Sequence, residues 1–457
     1  MLRERPGALS RNRDFRRLWT GQSMSVVGAQ VTAVALPLTA VLHLDAGPLE
    51  MGLLGAATAA PYLGPSLLAG VWVDRLPRRL VLVTADLARA LLLGLVPVLF
   101  LLGALGTGRL LAVALLVGVC GMLAELAYPS YLPALVPRAH LLAGHSRLAL
   151  SRSAADVAGP GVAGLLAGWV TAPVSLALVA VAHLGSAGTI ARARREPRPP
   201  RGARAGIRTE LAAGLRATLQ DRVLRPAALG AAAFNLCWSA VQALLALHVV
   251  RELGLTSTQY GLCFAAGAVG AVLGALATVP LSHRLGPGRT ILCSAVLSCS
   301  APLLLPVAHS RDGAAVLLST VLFLQGLGLS GWDVQVRNVQ QARVPGELMG
   351  RMNGTYLTLS MGAGALGAVA GGALASVVGV RPSLLVGTCA LSLAWLWLWS
   401  PPLRRLSFED LARVGQAPAS PRATSEAARA VITTAIAPSR TRHAEGRANT
   451  GRSSRAP

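Results

Sequence analysis

The chain has 457 residues, 53% of them hydrophobic and only 13% charged, with a mean hydropathy of +0.56. Soluble domains carry about 25% charged residues, so this composition excludes an ordinary soluble protein and points to a membrane protein. The net charge of +23 sits in loops and tails between apolar runs of membrane length, the positive-inside pattern and not that of a nucleic-acid binder.

In chain order, the arginine-rich start MLRERPGALSRNRDFRRLW leads into an apolar segment long enough to span. It reads as a retained cytoplasmic start and not as a cleaved signal peptide. A spanning helix needs about 20 mostly apolar residues. Such helices are predicted at 17–42, 48–72, 80–102, 109–133, 143–169 and 173–192. Six more are predicted at 226–250, 258–281, 289–309, 314–337, 350–378 and 381–400. The expected fold is an all-α membrane protein of twelve transmembrane helices in two pseudo-symmetric six-helix bundles. Residues 1–192 form the first bundle, 193–225 a basic cytoplasmic linker, 226–400 the second bundle and 401–457 a cytoplasmic, largely disordered tail. The Pro- and Arg-rich linker suits an amphipathic connector on an anionic leaflet. Arginines crowd the side bearing the N-terminus, the 73–79 loop, the linker and the tail, so both termini are expected in the cytoplasm of a cell-membrane protein.

The six cysteines lie inside apolar segments without a CxxC pair, so they read as small buried residues and imply no disulfide or metal framework. Neither GxxxxGK[ST] nor HExxH is present, which argues against an enzyme. No metal and no cofactor are expected.

The halves repeat at an offset of 208 to 209 residues, which matches Gly52 with Gly261, Arg75 with Arg284, Glu125 with Asp333, Gly159 with Gly367 and Gly164 with Gly372. Two six-helix halves in parallel repeat place a binding site near the bilayer midplane, between halves that rock against each other.

The segments FRRLWTGQSMSVVG (Phe15 to Gly28), GVWVDRLPRR (Gly70 to Arg79), the Asp86/Arg89 pair, GPGVAG (Gly159 to Gly164) and VPGELMGRMNG (Val344 to Gly354) carry a family resemblance. Over residues 10–400 the chain resembles the major facilitator superfamily, and within it the drug-efflux branch of macrolide and enterobactin exporters. The resemblance implies that Gly70, Asp74, Arg75, Arg78 and Arg79, with Asp86 and Arg89, serve the gating of the cytoplasmic side, with Asp74 against the start of helix 11 near Glu347. Physically, Asp74 is an anion suited to a helix N-terminus, and Arg75, Arg78 and Arg79 can pair with Asp86 or with lipid phosphates. Gly159, Pro160 and Gly164 form a Pro-containing, small-residue packing surface, and the resemblance adds a bias toward export. Many relatives carry an acid after the glycine matching Gly28; here Ala29 stands there.

Ionisable groups inside spanning segments are costly and are candidates by default. Asp86 with Arg89 is an i,i+3 pair; Arg152 with Asp156 and Asp333 with Arg337 are i,i+4 pairs that can neutralise themselves on one helix face. Glu125 has no basic residue at those spacings, so it is a candidate to take up a proton, alongside Asp156 and Asp333. The alternatives are a Glu125 in a wet cytoplasmic end or paired with an arginine of another helix. Gln22, Gln30, Asn235, Ser239 and Gln242 are the candidate polar groups of an otherwise apolar cavity, the last three on one helix face. The expected partners are a hydrophobic small molecule, the lipid bilayer and protons, with no nucleic acid, and the chain is expected to be a monomer. Proton-driven export leads; uptake or facilitated movement of a metabolite, or a receptor or lipid-handling protein of the same fold, are the alternatives.

Overall fold

Helix α1 (Arg13–His43) starts where the Asn12 side chain accepts hydrogen bonds from the backbone N–H groups of Asp14 and Phe15. The Asn12 amide then donates to the Leu135 carbonyl at 3.1 Å. One polar side chain therefore caps the first helix and ties it to the end of the fourth. The computed structural model describes residues 12–66, 69, 73, 76–137, 140–194, 215–216, 218–308, 313–344 and 346–410. The predicted tail and most of the linker lie outside the described residues.

After α1 come α2 (Pro48–Ala59, ending in a 3-10 turn Ala60–Tyr62), α3 (Arg78–Leu101), α4 (Thr107–Leu135), α5 (Leu141–Val170) and α6 (Ala172–Ala191). The chain continues with α7 (Leu224–Ala246), whose end tightens into a π-helical turn Leu247–Glu252, then α8 (Ser257–Leu285) and α9 (Pro287–Ser300 with a 3-10 extension Ala301–Val307). Last come α10 (Ala314–Arg343), α11 (Gly346–Val378), α12 (Val380–Leu393 with a 3-10 end Ala394–Trp399) and the short α13 (Pro401–Arg404). No strand occurs among the described residues. Ten of these helices are long and apolar enough to cross a membrane. The exceptions are α2, which is short before its 3-10 turn, α5, which carries Arg147, Arg152 and Asp156, and the four-residue α13. Helix α10 outruns its predicted apolar segment because Val339 and Gln340 are still buried beyond Arg337.

The same packing scheme occurs twice. In the first set α1 lies against α5 and α6, α3 against α4 and α6, and α2 against α4. In the second set α7 lies against α11 and α12, α9 against α10 and α12, and α8 against α10. The sets meet through α2 with α11 and α5 with α8. Large apolar side chains such as Leu91, Trp169 and Val377 are exposed, the surface expected of a chain solvated by lipid.

The capping device repeats as well. Asp221 accepts from the N–H groups of Val223 and Leu224 at 2.7 and 2.9 Å, while its other oxygen takes Arg343, at the end of α10, at 3.0 Å. Asp221 and Arg343 occupy the repeat positions of Asn12 and Leu135. Burial alone would raise the Asp221 carboxyl, but the Arg343 hydrogen bond, the two backbone donors and the Arg343 charge outweigh it and hold it below the usual carboxylate range. The folded value lies below the unfolded one of about 3.9. The stabilisation is therefore full above that range and is lost as pH falls through the folded value. Asp221→Ala is expected to cost about 2 kcal/mol, roughly half from the cap and half from the charge-assisted pair. The difference from wild type should shrink in thermal denaturation below about pH 4.

Candidate functional site

Backbone contact between four helices closes one end of the molecule. A Cβ at Gly52 of α2 would stand 2.6 Å from the Ala368 carbonyl and 2.8 Å from Gly372 Cα, and one at Gly372 of α11 would meet Gly52 Cα at 2.7 Å. On the other flank a Cβ at Gly164 of α5 would meet Gly261 Cα at 2.8 Å, and one at Gly261 of α8 would meet the Pro160 carbonyl at 2.5 Å. Only glycine fits such crossings. The two crossings are repeat images, since Gly52 matches Gly261 and Gly372 matches Gly164. Arg251 adds to this end, donating to the Val41 carbonyl at 2.9 Å and pairing with Asp45 at 3.2 Å.

Between the sets lies a cavity of about 1130 Å³ with walls from both. The second set contributes Phe234, Trp238, Trp332 and Tyr356, an aromatic wall. Asn235, Ser239 and Gln242 line the cavity from α7, with the Asn235 amide donating to Ser360 Oγ at 2.9 Å. Gln22 and Gln30 do not line it: Gln30 instead donates to Asp156. A cavity of this size takes a drug-sized molecule, and its wall is more polar than the sequence suggested, because Arg89, His183, Arg337, Gln340, Gln341 and Asn353 line it beside the expected groups.

One of the three pairs expected from spacing is replaced. Arg152 reaches Glu125 of α4 at 3.6 Å, and Glu125 also accepts from the Tyr62 hydroxyl at 2.8 Å. The expected i,i+4 pair of Arg152 with Asp156 is replaced by this bridge between helices, and Asp156 takes the Gln30 amide instead. Glu125 is thus not an isolated carboxylate. Asp333 and Arg337 do pair along α10 at 2.8 Å, and Glu125, Asp156 and Asp333 all reach the cavity wall.

Asp86 is the most enclosed acid of this set, 2% exposed. Its Oδ1 accepts from Ser25 at 3.0 Å and faces His183 Nδ1 at 3.1 Å; its Oδ2 accepts from Ser186 at 2.6 Å. Arg89 stands 3.7 Å away. His183, Ser186 and Ser25 are partners that sequence spacing missed. A lone histidine in an otherwise uncharged apolar run, Ala172–Ala191, is the signal that could have marked α6. Arg79 does not turn to Asp86: it donates to the carbonyls of Ile190 and Ala191, where a cation complements the C-terminus of α6. Arg78 opens α3. Gly159 packs on Gln30, and Pro160 and Gly164 sit in the α5–α8 crossing. Gly70, Asp74 and Arg75 lie outside the described residues, as does the side chain of Glu347.

The transmembrane secretion effector model, MFS_3, matches residues 7–436. The chain belongs to this family of the major facilitator superfamily. It is therefore a transporter-family protein and not an enzyme. The multidrug efflux pump Tap of Mycolicibacterium fortuitum is 26% identical over 403 residues, covering 83% of this chain and 93% of Tap. An uncharacterized MFS-type transporter of Sinorhizobium fredii is 25% identical over 363 residues, covering 78% of this chain and 86% of that one. Among solved structures, the nucleoside transporter NupG superposes with a TM-score of 0.66 at 13% identity, covering 84% of this chain and 98% of NupG. A bacterial homologue of the lysosomal transporter Spinster, inward-facing and unoccupied, gives 0.62 at 13%, covering 90% of this chain and 99% of that one. At such identities these two establish the fold alone.

Proposed function

We propose that this MFS protein exports drug-sized lipophilic molecules across the cell membrane by alternating access, in exchange for protons. The observation that carries the reading is a large, aromatic-walled cavity between two repeat-related helix sets, closed at one end by repeat-related glycine crossings. The similarity to a multidrug efflux pump supports an exported organic cargo. The carboxylates Glu125, Asp156 and Asp333 on the wall supply groups able to exchange protons with the cavity.

In this reading the predicted segment 48–72 and α5 also span, which brings the count to twelve. The bundles are 1–192 and 226–400, joined by the basic linker 193–225, with a tail at 401–457 and both termini cytoplasmic. The glycine-closed end then faces outward. Gly70, Asp74, Arg75, Arg78 and Arg79 serve the cytoplasmic gate, and the chain works as a monomer.

Everted membrane vesicles loaded with the protein test this. An imposed pH gradient, acid inside, should drive ethidium accumulation, and collapsing the gradient should release it. Ethidium movement indifferent to the gradient would overturn proton antiport. In the same assay Glu125→Gln should reduce gradient-driven flux, because it removes a wall carboxylate and strands Arg152.

A further inference from the structure

We propose that His183, hydrogen-bonded to Asp86, is a proton-binding site of this carrier, loaded from the central cavity, and that its protonation releases Arg89 from Asp86. The inference rests on the proton-antiport reading and names a site for the proton.

The geometry places one imidazole between a buried acid and the cavity. His183 is 1% exposed, yet it forms part of the cavity wall, as does Arg89, whereas Asp86 does not. With the carboxylate ionised, His183 Nδ1 carries the hydrogen given to Asp86 Oδ1 at 3.1 Å, which leaves Nε2 as the basic nitrogen. Nε2 stands against α1, where a Cβ at Gly28 would lie 3.1 Å from it. The glycine leaves room for the ring, and its neighbour Ala29 lines the cavity. A proton arriving from cavity water can therefore bind Nε2 while the Nδ1–H···Asp86 bond persists.

The surroundings fix what that proton does. Helix α6 holds no other ionisable residue, and α1 has none between Arg17 and His43. Helix α3 supplies Asp86 and Arg89 besides Arg78 and Arg79 at its start, and α4, packed on α3, supplies Arg109, Cys120, Glu125, Tyr128 and Tyr131. Helix α5 supplies His145, Arg147, Arg152 and Asp156, of which Arg152 and Asp156 are engaged by Glu125 and Gln30. One carboxylate thus faces two bases, His183 and Arg89, and both approach the same oxygen, Oδ1.

Arg89 is loosely held. Its Nη1 is 3.7 Å from Asp86 and 3.4 Å from Ser25 Oγ, and its buried Nε has no hydrogen-bond partner. Neutral His183 leaves Asp86 to Arg89. Imidazolium takes over the charge of Asp86, and Arg89, already on the cavity wall, turns its charge toward the cavity. Loading one proton on Nε2 therefore adds positive charge where cargo binds, and losing that proton to water removes it. Proton and cationic cargo then exclude each other, as an exchanger requires.

The test is a titration paired with transport. In nanodiscs, the 15N signals of His183, assigned by their loss in His183→Gln, should pass from the neutral to the doubly protonated pattern as the buffer is acidified. In proteoliposomes, His183→Gln should lose gradient-driven ethidium flux and its pH profile, with a thermal midpoint and size-exclusion elution near those of wild type certifying folding. Asp86→Asn, which keeps the size of the side chain, should remove the same coupling. The inference is overturned if His183 stays neutral on acidification, or if His183→Gln keeps the wild-type profile. A wild-type flux indifferent to the gradient overturns the antiport reading instead, and the 15N titration still decides whether His183 binds the proton.

Discussion

Gly261→Ala is expected to reduce ethidium export strongly while leaving the amount of folded, inserted protein near normal. The added Cβ would meet the Pro160 carbonyl at 2.5 Å and Gly164 Cα at 2.6 Å, all backbone atoms that cannot rotate away. Overpacking of this kind costs about 1–3 kcal/mol, so the arrangement with this end closed should lose about 5- to 150-fold in population relative to the open one. Each helix of the pair remains intact, and helix propensity favours alanine by about 0.5–1 kcal/mol. A loss of export therefore comes from the crossing and not from a weakened helix. Gly188→Ala is the matched control, because a Cβ there meets nothing within 4 Å. Gly52→Ala, at the repeat position of Gly261, should behave as Gly261→Ala does. Export unchanged in both crossing variants would show that close backbone approach at this end is dispensable.

These crossings show what was legible in the sequence. The repeat marks Gly52, Gly164, Gly261 and Gly372 were found by their offset alone, and they turn out to touch in two image-related pairs. Apolar periods of membrane length marked the helices for the same reason: hydrocarbon demands continuous apolar sequence and self-satisfied backbone. Charge pairing was less legible. Spacing sees only partners three or four residues apart on one helix. Asp333 with Arg337 obeys that rule, whereas Arg152 bridges from α5 to Glu125 on α4. The repeat also hid half of a motif, since Asn12 and Asp221 are different residues performing the same cap-and-tie at equivalent positions. His183 escaped because one histidine in an apolar run has no periodicity, and its meaning depends on which helix it faces.

Asp86→Ala is expected to be the most destabilising single substitution in the first helix set. Removing the carboxylate deprives Ser25, Ser186 and His183 of a partner and strands the Arg89 guanidinium, whose Nε is already unpaired. Breaking one side of a buried ion pair costs about 3–5 kcal/mol, because the remaining charge stays desolvated. Asp333→Ala makes the contrast. Asp333 and Arg337 pair at 2.8 Å, but their side chains are 44% and 70% exposed to the cavity, so water screens the loss and about 0–1 kcal/mol is expected. If the stranded charge is the main cost at Asp86, adding Arg89→Ala to Asp86→Ala should recover part of the stability. The measurement is a thermal denaturation of the four detergent-solubilised forms, read as a double-mutant cycle. Strictly additive losses would mean that Arg89 is not held by Asp86, and would remove the competition for Oδ1 on which coupling between His183 and Arg89 depends.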